Sequence, residues 1–231
     1  MTRMPLFEVD KLLSMPGCRW LAGASVLLSV ATPLLVRGNE EVAGVPAMFV
    51  LPQVVQILQY TMLALGCLAA GHQFGTGVWR TTLLATPRRA AVVAVQAIVI
   101  AGAAGVLAVM SVVSFLSVAT LAGMPASDGD LAHATGAVLY LALLSLLAWA
   151  VTLTCRSVVV ALGSLSGSLL IAPLLAQTIP PFGYLPGAAG SALAGSLMPG
   201  HPGASALWLL LWVGAAFVAA TLTARFRDCG E

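Results

Sequence analysis

Polar side chains set inside long apolar runs are the first candidates for chemistry in this chain. Gln53, Gln56 and Tyr60 follow i, i+3, i+7 spacing, which places them on one face of a helix. Ser111, Ser114 and Ser117 do much the same further along. In hydrocarbon such groups either hydrogen-bond between helices or line a polar path. Gln53, Gln56, Tyr60, Ser111 and Ser114 are therefore open to both readings, helix adhesion and translocation. Other chemistries find no residues here. No Asp, Glu, Lys or Arg falls in the middle of an apolar run, where a proton-driven or ion-coupled carrier places its coupling groups. His72, His133 and His201 sit at run ends or in loops, so no axial haem pair is expected. Cys18, Cys67, Cys155 and Cys229 lie far apart and form no CxxC pair, which argues against zinc or a disulfide framework. No GxxxxGK[ST] run exists, so ATP binding by a P-loop is not expected. No catalytic residue, metal or cofactor is expected on this chain.

The elements that would position these groups follow from composition. Of 231 residues, 60% are hydrophobic and 8% charged, and the mean hydropathy is +1.01. A soluble domain carries roughly 25% charged residues, so most of this surface must face lipid. The bases are scattered and the net charge is +2, which leaves no clustered basic face for nucleic acid. A bilayer core needs about 20 apolar residues in helix. Six stretches qualify, over residues 17–36, 49–70, 90–121, 131–154, 157–177 and 204–223. The third is longer than a span requires and is expected to tilt or project. Only Cys155 and Arg156 separate the fourth from the fifth, which demands a tight turn. Gly163 to Gly167 reads as a close-packing site between helices, and Pro173 as a candidate kink. Trp20, Trp149, Trp208 and Trp212 read as interfacial anchors.

Basic residues are retained on the cytoplasmic side of a membrane. Arg3, Lys11, Arg19, Arg80, Arg88, Arg89, Arg156, Arg225 and Arg227 fall on one side of the six runs, and only Arg37 on the other. Both termini are therefore expected in the cytoplasm. Residues 1–16 form an N-terminal segment whose Phe7, Leu12 and Leu13, mixed with Glu8, Asp10 and Lys11, read either as a short amphipathic helix on the inner leaflet or as a solvated tail. Residues 178–203 hold Pro180, Pro181, Pro186 and Pro199 and are too broken to span; they are expected to lie at or dip into the outer face.

Residues 71–89 form the longest charged cytoplasmic connection, and its arginines alone would enforce topology. Within it, Gly77, Thr81, Thr82, Leu83, Pro87, Arg88 and Arg89 resemble a motif of the permease subunits of ABC-2 type transporters, above all the small six-helix permeases of actinobacteria. Glu8, Lys11, Leu12 and Ser14 are similar to that family's E-x-x-K-L entry, and Tyr184-Leu185-Pro186 with Ala189-Gly190 to its outer Leu-Pro-x-x-x-Gly segment. Gln73 stands where the family usually has an acidic residue. The resemblance implies a six-helix bundle whose loop docks on a separate cytoplasmic P-loop ATPase carrying the ATP and Mg. It also implies a second permease chain, identical or not. Docking would rest on Gln73, Gly77, Trp79, Arg80, Thr81, Thr82, Pro87, Arg88 and Arg89, with Trp79 and the arginines supplying residue types enriched at interface hot spots. The implied function is export of an amphipathic substrate (a drug, peptide antibiotic or lipid) across the bacterial plasma membrane. A non-transporting multi-pass protein, such as an immunity factor or assembly scaffold, would explain the missing intramembrane charges equally well.

Overall fold

An apolar run buried in hydrocarbon closes its backbone hydrogen bonds within itself, and the helix is the structure that does so segment by segment. A computed structural model of the protein describes residues 9–12, 14–37, 45–75, 89–125, 130–176, 178–179, 183–193 and 202–226. Among these the regular elements are all helical: α1 (Pro16–Arg37), α2 (Ala47–Gly75), α3 (Arg89–Leu121), α4 (Asp130–Cys155), α5 (Val158–Ala176), α6 (Pro186–Leu193) and α7 (Pro202–Phe226). Six of them, all but α6, are long and apolar enough to cross a membrane, the signature of a multi-pass membrane protein. The six expected spans are thus present, with ends displaced by a few residues. The largest displacement is at α2, which runs on to Gly75 rather than ending at Ala70. At 33 residues, α3 is about 50 Å long against a hydrocarbon core of about 30 Å, so it projects or tilts as its length predicts.

The helix ends have local causes. Pro16 opens α1, where a missing N–H costs no helical bond. Gly123 stops α3 with φ at +82°, and the Met124 N–H bonds the Ala119 carbonyl at 3.0 Å while the Gly123 N–H bonds Thr120. That pair of bonds is a Schellman closure. The turn between α4 and α5 is as short as its sequence requires. Arg156 takes it alone, at φ +54°. Ser157 then caps α5 loosely, its Oγ accepting from the Val160 N–H at 3.4 Å.

Helix α4 is the centre of the bundle, packed against α2, α3, α5, α6 and α7, and α2 with α4 forms the most extensive pair. Leu51, Val54, Leu58, Met62 and Leu63 of α2 meet Leu141, Leu144 and Leu147 of α4 in one continuous core with Phe115 of α3 and Leu209 of α7. The windows of α1, α5 and α7 are only 17%, 22% and 17% buried, so these three present most of their surface outward. Ser25 ties α1 to α2, its Oγ 2.9 Å from Thr61 Oγ1. Leu12, ahead of α1, packs against the core from residues 9–12, which are helical.

Two expectations fail on packing. Trp149 is not an interfacial anchor; it is fully buried among Ala69, Ala70, Val93, Ala97 and Ile100, because small residues on α2 and α3 leave a ring-sized space beside α4. The glycines of α5 do not mark a close contact within the chain either. A Cβ on Gly163 or Gly167 would meet nothing within 4 Å. Trp20, by contrast, is 80% exposed near the start of α1.

Candidate functional site

One buried polar pair lies where α2, α4, α5 and α6 converge. Gln59 lies twelve residues past Ala47 and Tyr140 ten past Asp130, about 15–18 Å along their helices and so near the middle of a hydrocarbon core about 30 Å thick. Both are buried, and the Tyr140 hydroxyl donates to Gln59 Oε1 at 2.7 Å. Pairing is what lets these groups sit there, since an unpartnered hydroxyl or amide costs about 1–3 kcal/mol when buried.

The short helix α6 closes this region from one side, packed against α4, α5 and α7. Pro186 starts it, and Gly187 to Gly190 are buried. Gly190 sits flat against the Tyr140 ring, so close that a Cβ there would overlap ring carbons. Ser191 completes a turn by bonding the Ala188 carbonyl at 2.9 Å. Under α6 lies a cavity of about 190 Å³. Val55, Gln59, Tyr140 and Leu169 are its buried floor, while Gln56, Tyr60, Leu170 and Leu174 stand exposed at its mouth. Ser191 and Pro173 line the wall between, and α5 continues as helix through Pro173.

The expected polar path is therefore partly assembled. Gln56 and Tyr60 line the cavity; Gln53 is exposed one turn above it and does not. Ser111 and Ser114 lie elsewhere, on α3. Ser111 is buried with no hydrogen-bond partner for its Oγ among the described residues, and Ser114 is half-buried. Gln59 and Tyr140 escaped the sequence reading. A glutamine three residues after Gln56 was the available sign, but its pairing with a tyrosine 81 residues away has no local signature.

At the other end of the bundle, Gln73 is not displayed on a loop as the resemblance implied. The extra helical residues of α2 carry it inward, where it is 97% buried beside Gln96 and Leu12 around a void of about 10 Å³. Gln59, Gly66 and Gln73 are spaced by seven and so share the inward stripe of α2. Gly77, Trp79, Arg80, Thr81, Thr82, Pro87 and Arg88 lie outside the described residues, and Arg89 is the first residue of α3. Among the described residues no group of three His, Cys, Asp or Glu side chains could hold a metal ion.

Tyr140→Phe keeps the ring against Gly190 and removes one hydrogen bond. It is expected to destabilise the purified chain by about 0.5–1.5 kcal/mol, a small fall in thermal midpoint measured in detergent. A larger loss, with α6 becoming accessible, would give the hydroxyl a part in seating α6 that packing does not predict. No protein-family model matches the chain, and no curated protein or solved structure matches it either.

Proposed function

We propose that this chain is the transmembrane permease subunit of an ATP-driven ABC-2 type exporter in a bacterial plasma membrane. It moves an amphipathic substrate, such as a drug, peptide antibiotic or lipid, and takes its energy from a separate cytoplasmic P-loop ATPase that holds ATP and Mg. Both termini lie in the cytoplasm, as the nine-to-one division of basic residues requires.

One observation carries the reading. The outer segment that resembles Leu-Pro-x-x-x-Gly is not a plain connection: Pro186 begins a helix, and Gly190 lets it lie on Tyr140 beside a polar cavity at membrane depth. A cavity of this kind suits a subunit that moves a substrate, which favours the permease reading over a scaffold or immunity protein. The six apolar spans and the absence of charge in their middles agree with a carrier whose driving force comes from elsewhere. A second permease chain, identical or not, completes the exporter in this reading.

In this reading the loop after α2 docks on the ATPase, and ATP-driven closure of that partner tilts the helices as rigid bodies. Replacing Arg88 and Arg89 together with glutamate is expected to stop association with the ATPase while the chain still inserts and stays monodisperse. The check is recovery of the ATPase with tagged wild-type and mutant chains from the same membranes. Equal recovery would remove the docking role from these arginines.

A further inference from the structure

The cavity beneath α6 has a chemistry that its residues define. Gln59 and Tyr140 bring polar groups to its floor beside Val55 and Leu169, its wall is largely apolar, and none of its lining residues is Lys, Arg, His, Asp or Glu. Gln59 uses its amide oxygen to accept from Tyr140, so what its side chain has to offer the cavity is the amide N–H. The site therefore offers hydrogen-bond donors that a carbonyl or hydroxyl oxygen would satisfy. A charged group would enter without a counter-charge, at a desolvation cost of several kcal/mol. At about 190 Å³ the cavity falls below the roughly 300–1,000 Å³ of pockets that engulf drug-sized ligands, so it takes one end of a molecule.

The mouth decides where that molecule comes from. Gln56, Tyr60 and Leu170 are exposed on the flanks of α2 and α5, inside two helices long enough to span, and Leu174 is exposed in the last turn of α5. An opening there faces the bilayer. Two polar side chains on a lipid-facing flank are otherwise expensive to keep.

We propose that this cavity receives, from the side, the uncharged oxygen-rich head of a bilayer amphiphile whose chains remain between α2 and α5 in the lipid. The site deepens the exporter reading and rests on it for its role in transport, but binding itself requires no ATPase. Loss of binding and loss of an ATPase partner are therefore separate failures.

The test uses the full chain in detergent micelles with a photoactivatable diacylglycerol bearing a diazirine in one acyl chain near the glycerol. Labelling is expected on α2 and α5 peptides at the mouth. Unlabelled diacylglycerol should compete, and phosphatidic acid of the same chains should not. Gln59→Leu is expected to lower labelling about tenfold, the effect of one buried hydrogen bond. Leu174→Trp blocks the mouth from an exposed position that bears no core packing, and should abolish labelling in a chain with unchanged thermal midpoint. Labelling that survives Leu174→Trp, equal competition by phosphatidic acid, or no labelling at these peptides would each overturn the proposal.

Discussion

Substituting valine for Gly190 is expected to unseat α6 and open the cavity beneath it. A Cβ at this position would overlap three carbons of the Tyr140 ring. The ring has nowhere to go, because Tyr140 is 1% exposed and its hydroxyl is fixed to Gln59. The short helix must move instead, away from α4 and against its contacts with α5 and α7. Overpacking a well-filled site costs about 1–3 kcal/mol, and two extra methyl groups put this change at the upper end. The readout is a cysteine placed at Ser191, which is half-buried on the cavity wall, in a background without other cysteines. With Gly190 intact it should react slowly with a membrane-impermeant maleimide. With valine it should react at the rate of an exposed thiol, and the thermal midpoint should fall. Unchanged reactivity would mean that Gly190 does not hold α6 down.

A larger loss of stability is expected from Gly66→Val, at the centre of the α2–α4 contact. There a Cβ would run into the Ser145 carbonyl oxygen and stand 2.9 Å from the Ala148 Cβ. The obstacle is backbone, which cannot rotate away as a side-chain end does. Separating the two helices would loosen the core that Leu58, Met62, Leu141 and Leu144 share. About 3 kcal/mol is the expected cost, with insertion retained and monodispersity reduced in size-exclusion chromatography. The comparison is Gly163→Val on α5, where a Cβ meets open space and at most about 0.5 kcal/mol is expected in the isolated chain. If the two substitutions cost the same, close approach at Gly66 is not what holds the bundle together.

Much of this architecture is legible in the sequence, and most of the illegible parts share a cause. Apolar runs of span length announce α1 to α5 and α7 directly, since hydropathy depends on each residue alone. The turn at Arg156 is equally plain, because two helices with only Arg156 and Ser157 between them leave no alternative. What each residue faces depends on neighbours far away in the chain. Trp149, near the end of an apolar run, reads as an anchor until alanines of α2 and α3 are seen to make room for it. Gln73 reads as part of the charged connection that follows an apolar run ending at residue 70, yet the helix continues to Gly75. Gln56 and Tyr60 were legible by spacing as one face, while the Gln59–Tyr140 pair between α2 and α4 was not. The proline-rich stretch before α7 hid a helix of eight residues for a second reason: its length is too short for periodicity to speak.

The central claim, that this chain works as the membrane half of an ATP-driven exporter, meets its most direct test in the native membrane. The tagged full-length chain is extracted in mild detergent, purified as a monodisperse species, and its co-purifying proteins are identified by mass spectrometry. A P-loop ATPase at about one copy per chain is the predicted result. Intact, monodisperse protein that brings down no such ATPase would contradict the account, and would point to a multi-pass protein that transports nothing.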